Sequence, residues 1–284
     1  MSGTSPTLRQ RELGLRLRRL RIGLGMTVEE VADRLLCSPA KISRMETAAR
    51  RPSPRDVRDL CALYKVDEAG TAELMQLTRQ AREQGWWTQY EDLNLYPYIG
   101  LEQEASSITH YAMHYVPALL QTEDYARAII KAVLPGIDPK ILQYRVEARI
   151  RRQHLLEGDN PPRYRVLLDE AVLHRQMGSA SLMAAQLAKI IEVVHAGKAT
   201  IQVIPFKVGA YPASDCMFVL LEFSDPVLSP PVVYVEGLFA SQYYERRPNV
   251  DQYREAIEYQ RDSALSPRES VQRLEDQQKA YLSE

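Results

Sequence analysis

The sequence predicts a mainly α, overall α+β protein in two parts: five short helices at the N-terminus, then a larger region of helices around a small β-sheet. Three observations carry this expectation. Helix-start signals recur through the first 60 residues, and the apolar residues between them keep helical spacing. Short runs rich in β-branched and aromatic residues, bounded by Pro, Gly, Ser and Asp, are found beyond residue 160.

In chain order, Leu13, Leu17, Leu20 and Leu24 recur at helical spacing and stop at the Gly23-Leu24-Gly25 breaker. At Thr27 the Thr-x-x-Glu spacing to Glu30 makes a capping box, with Met26 and Val31 at the staple positions. At Ser38 the cap is followed by Pro39, favoured at the first helical position because its missing N–H would have been unpaired anyway. Cys37 and Ile42 form the corresponding staple. Ser53-Pro54 repeats the signal, with Asp56 in the first turn, where the helix dipole favours a negative charge. Val57, Leu60, Cys61 and Tyr64 supply a fourth apolar face, and Leu74 with Leu77 a fifth. Ser38 and Pro39 therefore mark a tight turn between two short helices.

On the helix that starts at Ser38, Ile42, Met45 and Ala49 fall on one face and read as core. Ala40, Lys41, Ser43, Arg44 and Thr47 fall on the other. Such a face is either a solvated helix surface or the reader of a DNA major groove, where Arg or Lys reaches guanine O6 and N7 and small residues permit close approach. The charge distribution favours the groove. Residues 1–66 carry 14 basic against 7 acidic side chains, and the remaining 218 carry 22 against 30, so a basic head precedes an acidic remainder.

The stretch "LGLRLRRLRIGLGMTVEEVADRLLCSPAKISRMETAARRPSPRDVRDLCALY" resembles the Xre/Cro-type helix-turn-helix regulators over residues 8–66. The resemblance implies a lambda-repressor-like domain of five helices. In it the helix starting at Thr27 lies across the phosphate backbone, and the helix starting at Ser38 enters the major groove of double-stranded DNA. It also implies that Ala32 is the small residue packed between helices and Glu46 a buried carboxylate, for which Arg18 on the first helix is the expected ion-pair partner. The helix starts at Thr27 and Ser38, and Arg50 and Arg51 beyond the reading helix, are expected to approach phosphates. Each of these arginines is otherwise a free surface charge. Ala48-Ala49 departs from the glycine that this family places after the glutamate.

The helix-turn-helix region is expected to span 1–82. An aromatic-rich connection follows at 83–100, where Trp86, Trp87, Tyr90, Tyr96 and Tyr98 are too apolar for a free tether. These aromatics either close a core or interface, or line a ligand pocket. An α+β domain is expected over 101–284. Helical periodicity covers 101–114, 122–133, 138–156, 180–196, 249–263 and 266–281, and strands are expected at 163–169, 199–206, 216–223 and 231–236. The runs "GWWTQYEDL", "LEQEASSITHYAMHYVPALLQTEDYARAI", "LLDEAVLHRQMGSASLMAAQL", "IQVIPF" and "VVYVEG" resemble the domain of unknown function (DUF5753) that follows the helix-turn-helix in a large actinobacterial family, the WhiJ-like or Scr1-type antitoxin-like regulators. Ala118 departs from the Pro-Gly-Leu-Leu-Gln-Thr motif of that family. The resemblance implies a transcription factor whose larger domain senses or binds a partner, commonly a very small protein from a neighbouring gene, in development and antibiotic production.

Other classes find little support. No run of about 18 apolar residues is present to span a bilayer, and Arg9, Arg11, Arg16, Arg18, Arg19 and Arg21 interrupt any secretory apolar stretch. A cytoplasmic protein without membrane contact is expected. Cys37, Cys61 and Cys216 are isolated and suggest neither a disulfide framework nor a zinc site. His110 and His114 stand four apart on an expected helix but lack the glutamate of a metalloprotease motif. Asp169, Glu170, His174 and Arg175 sit near a strand end, where acid–base chemistry could be placed, yet the two carboxylates equally suit a helix start. No phosphate loop, nucleophile elbow or dinucleotide fingerprint occurs. Neither catalysis, a cofactor nor a metal is expected. The expected protein is a DNA-binding regulator, homodimeric on a two-fold symmetric operator because one short helix reads too few bases, and modulated by a small protein partner. The alternatives are a one-component sensor holding a small molecule near Trp86 and Trp87, and an antitoxin that buries its toxin.

Overall fold

The computed structural model describes residues 8–82, 86–89, 96–227, 229–237 and 241–284. They fall into two compact units, the first drawn from Met1–Gln89, Asn94–Glu104 and Asp225–Pro230, the second from Tyr90–Leu93, Ala105–Ser224 and Pro231–Glu284.

The first unit holds helices α1 (Leu8–Gly23), α2 (Val28–Arg34), α3 (Pro39–Glu46), α4 (Pro54–Leu63) and α5 (Glu68–Gln80). The cap chemistry sets three of their starts. Thr27 and Ser53 form full capping boxes with Glu30 and Asp56, and the Ser38 hydroxyl accepts from the Lys41 N–H. Leu13, Leu17, Val31, Ala32, Ile42, Met45, Val57, Leu60, Cys61, Tyr64, Leu74 and Leu77 form one core, each large aliphatic member contributing about 1.5–3 kcal/mol by leaving water. Ala49, expected in that core, is exposed. Helix α3 ends at Glu46, and the chain then turns through Ala48, buried with φ 57°, so Ala48 takes the inward place.

A short 3₁₀ turn (Trp86–Gln89) and helix α6 (Tyr96–Glu104) also belong to the first unit. Arg9 on α1 reaches Glu104 at 3.2 Å and Gln80 at 3.5 Å. Of the aromatic connection, 83–85 and 90–95, Tyr90 among them, lie outside the described residues.

The second unit is built on strands β1 (Ser107–Ala112), β2 (Arg163–Asp169), β3 (Thr200–Ile204), β4 (Phe218–Glu222), β5 (Val232–Val235) and β6 (Gln242–Tyr244). They form one mixed sheet in the order β3-β2-β1-β4-β5-β6, parallel from β1 to β3 and antiparallel beyond. Helices α7 (Glu123–Val133) and α8 (Pro139–Arg152) lie in the first parallel crossover, and α9 (Ala171–His174) and α10 (Ala180–His195) in the second. Helices α11 (Arg247–Ser263) and α12 (Pro267–Leu282) close the chain.

The expected helix at 101–114 is corrected here. Helix α6 ends at Glu104, and 107–112 is a strand paired on both sides. Ile108, Tyr111 and Ala112 fit helical spacing, but the same residues alternate between the two faces of a strand, and β-branched Ile108 and Thr109 favour the sheet. His110 therefore lies on a central strand and His114 in the bend after it, on no common helix.

Alternation along the strands sorts the sheet into two faces. Tyr111, Leu167, Phe218, Leu220 and Val233 pack with Val250 and Ile257 of α11. His110, Val166, Val219 and Tyr234 share the opposite face by register. The acidic pair considered for chemistry is engaged in structure. Asp169 accepts from the Ala171 N–H at 2.9 Å and the Tyr211 hydroxyl at 2.5 Å, while Glu170 accepts from the Phe206 N–H at 2.8 Å and pairs with Arg273. Among the described residues no helix is long and apolar enough to cross a membrane.

Candidate nucleic-acid interface

The turn between α2 and α3 is closed by the Cys37 N–H donating to the Ala32 carbonyl at 2.9 Å. Ala32 is fully buried, so its single methyl group allows the two helices to meet closely. Leu36 occupies the turn with φ 50° and its side chain 95% exposed. That left-handed backbone is one glycine adopts without penalty and leucine does not.

Helix α3 buries Ile42 and Met45 and exposes Ala40, Ser43, Arg44 and Thr47. The Thr47 hydroxyl donates to the Ser43 carbonyl at 2.8 Å, and the Arg50 N–H closes the helix end on the Arg44 carbonyl at 2.9 Å. Among the described residues the Arg44 guanidinium makes no ion pair. Lys41 differs from these neighbours. Its ammonium lies 2.5 Å from Asp56, and the same carboxylate accepts from the Ser53 N–H at 2.9 Å and the Ser53 hydroxyl at 2.8 Å. Burial raises the Asp56 pKa, but the Lys41 bond and the two Ser53 bonds outweigh it and hold the carboxyl below the usual range. Lys41 thus braces the first turn of α3 against the first turn of α4. Arg50 and Arg51 are both exposed; Arg51 Nε also donates to Gln10 at 3.0 Å, and Gln10 in turn donates to the Ala48 carbonyl at 2.7 Å.

The buried carboxylate at Glu46 is present, but its expected partner is corrected. Arg18 is exposed. Arg21 grips Glu46 bidentately, Nε to Oε1 at 2.7 Å and Nη2 to Oε2 at 2.9 Å, and its Nη1 donates to the Met26 carbonyl at 2.7 Å. The two side chains are 11% and 5% exposed. The bond to Glu46 raises the Arg21 pKa against the opposing effect of burial. The physical reason for the exchange is position along α1: from its last turn, Arg21 can satisfy the carboxylate and the loop carbonyl before Thr27 together. One guanidinium thereby fixes the end of α1, the approach to α2 and the end of α3.

A second fixing point carries no charge. At Gly14 of α1, a Cβ would stand 2.7 Å from the Met45 carbonyl oxygen and 2.8 Å from that of Glu46. Helix α1 therefore crosses the end of α3 at a distance only glycine permits. Sequence reasoning placed Asp56 only as a helix-start carboxylate and missed its pairing with Lys41, and it missed Arg21 as the partner of Glu46 and the close approach at Gly14. The one available signal was a glycine inside a strongly helical leucine pattern.

Trp86 and Trp87 are half-buried and meet edge to face, with centroids 5.9 Å apart and planes at 81°. A Cβ at Gly100 on α6 would approach the Trp87 ring to 3.2 Å, so the Trp87 ring lies against that helix.

Comparison with known families matches residues 12–74 to a helix-turn-helix domain and residues 95–276 to a domain of unknown function, DUF5753. No curated protein and no solved structure matches the chain.

Proposed function

The chain belongs to the DUF5753 family and carries a helix-turn-helix DNA-binding domain ahead of that family's domain, and from this we propose that it is a sequence-specific transcriptional regulator of the actinobacterial development and secondary-metabolism type. The observation that carries the reading is the exposed face of α3. Ala40, Ser43, Arg44 and Thr47 face outward from a helix whose other side is locked in the core, which suits close approach to base edges with one long cationic reader, Arg44. The helix starts at Thr27 and Ser38, with Arg50 and Arg51, are assigned to phosphates. A helix of 8 residues reads few bases, so the active form is assigned as a homodimer on a two-fold symmetric operator. The second unit is assigned dimer contacts and the surface for a small protein partner, which would change DNA affinity by favouring one arrangement of the two heads. The protein would act in the cytoplasm, at the nucleoid when DNA-bound. A helix-turn-helix regulator needs no catalytic group, and Asp169 and Glu170 are held by structural partners.

The test is fluorescence anisotropy with the upstream DNA of its own gene against scrambled DNA, over a salt series. Wild type prefers its own upstream DNA. Arg44→Ala loses about 1–3 kcal/mol of that preference while the salt slope changes by about one charge or less. Lys41→Ala keeps the preference and lowers the stability of the first unit. An Arg44→Ala variant that discriminates as wild type does would overturn the assignment of α3 as reader.

A further inference from the structure

Helices α7 and α8 lie in the crossover from β1 to β2, and a groove of about 360 Å³ opens between the start of α7 and the face of α8. That volume is at the small end of ligand pockets, which span about 300–1,000 Å³. Gln143, Val146, Glu147, Ile150 and Arg151 of α8 line the groove, and steps of three and four residues put them on one helix face. His154, in the 3₁₀ turn that follows (Gln153–Leu156), and Glu123 of α7 complete it. The floor is apolar. Val146 is buried and Ile150 half-buried, and both pack with Ile130 and Leu142 in a small cluster of their own. The polar groups are sorted along the axis, acidic toward the middle of α8 and basic toward its end.

The acidic end is held by hydrogen bonds between the two helices. Arg127 of α7 donates from Nη2 to Glu123 Oε1 at 2.7 Å and to Gln143 Oε1 at 2.8 Å, and Gln143 Nε2 donates to Glu147 Oε1 at 2.9 Å. Two carboxylates thus share one cation, Arg127. Glu147 makes no ion pair among the described residues, so this end favours one further positive charge. Arg151 stands one turn beyond Glu147, about 6 Å along the axis, and His154 follows close to a turn later. Both carry N–H donors for an anion, and the guanidinium matches a carboxylate bidentately. Val146 and Ile150 lie between the two ends.

We propose that the groove between α7 and α8 binds a small zwitterion whose ammonium and carboxylate are joined by a short aliphatic spacer, that is, an ω-amino acid. The ammonium lies between Glu123 and Glu147, the methylenes cover Val146 and Ile150, and the carboxylate meets Arg151 and His154. An ion pair on an exposed face contributes little by itself, so recognition requires both charged ends and the spacer together. Glu123, Glu147, Arg151 and His154 are all exposed, so the ligand enters without rearrangement of the helices. The site lies within the segment matched to the domain of unknown function and gives that domain a ligand class. It does not depend on how α3 reads DNA.

The test uses the full chain at constant ionic strength, with 6-aminohexanoate as the probe and glycine, hexylamine and hexanoate as its incomplete counterparts, read by isothermal titration calorimetry and thermal unfolding. The expected result is saturable, stabilising binding of 6-aminohexanoate, with each counterpart weaker by about tenfold or more. Glu147→Gln should weaken 6-aminohexanoate by about tenfold, whereas Glu192→Gln, which removes the same charge from an exposed position on α10, should leave it unchanged. Arg151→Gln should erase the advantage of 6-aminohexanoate over hexylamine, because only the carboxylate end is lost. Glu147, Arg151 and Glu192 are exposed, so these variants keep the fold. No saturable response to 6-aminohexanoate, a counterpart that binds as tightly, or equal weakening in Glu147→Gln and Glu192→Gln overturns the proposal.

Discussion

Gly14→Ala tests how the reading helix is held. In an open helix this change stabilises by about 1 kcal/mol, because glycine is the poorer helix former. Here the added methyl meets two backbone carbonyl oxygens at 2.7 and 2.8 Å and the Glu46 carbonyl carbon at 3.1 Å. Those oxygens belong to the end of α3, which the bidentate Arg21–Glu46 pair holds in place, so they cannot withdraw without breaking it. Overpacking of this kind costs about 1–3 kcal/mol or more, and with backbone on the far side the upper part of that range applies. The net expectation after the helix gain is a loss of about 2 kcal/mol. Gly23→Ala on the same helix is the control, since nothing lies within 4 Å of its Cβ position. That variant should be neutral or stabilised by up to about 1 kcal/mol. Both tryptophans, Trp86 and Trp87, lie in the first unit, so urea unfolding followed by tryptophan fluorescence reports on that unit. A 2 kcal/mol loss moves the midpoint down by about 1 M. Gly14→Ala at or above wild-type stability would refute the close crossing of α1 over α3.

Three further outcomes follow from the same contacts. Glu46→Gln leaves Arg21 a buried charge without its carboxylate and should cost about 2–4 kcal/mol in the same urea assay, whereas Arg18→Ala, at an exposed position, should stay within about 0.5 kcal/mol of wild type. Leu36→Gly relieves a left-handed backbone and, with the side chain 95% exposed, sacrifices no burial, so the urea midpoint should stay level or rise by up to about 1 kcal/mol equivalent. In the second unit, burial and Arg152 hold the His110 pKa near 3. The unfolded chain takes up that proton near pH 6.5, so stability is full above about 6.5 and falls as pH drops toward 3, by about 3 kcal/mol at pH 4. His110→Gln should flatten that decline in thermal melts at pH 7, 5 and 4, and an unchanged decline would refute the assignment to this imidazole.

The legible parts of the molecule were those whose causes are local. Capping boxes at Thr27 and Ser53 and the Ser38-Pro39 start satisfy backbone groups within one turn, so their residues announce them. The strands at Arg163–Asp169, Thr200–Ile204, Phe218–Glu222 and Val232–Val235 fall inside the expected runs because β-branched composition and turn residues bound them. The 107–112 strand was misread because six residues containing Ile108, Tyr111 and Ala112 satisfy both periods, and only pairing with β2 and β4 settles the choice. The three-residue strand at Gln242–Tyr244 is too short for any periodicity to show.

The outward face of the reading helix follows the same division. Ser43, Arg44 and Thr47 opposite Ile42 and Met45 are set by 3.6-residue periodicity, which the sequence carries by itself. The order of helices, their starts, the basic head and the acidic remainder are likewise properties of the chain before it folds. Whether Arg18 or Arg21 meets Glu46, whether Lys41 is a reader or a brace, and why position 14 must lack a side chain all depend on where α1 and α4 cross α3. Those crossings sum many weak contacts between residues distant in sequence. A charge near a helix end has several partners within reach, and only the packed core selects one.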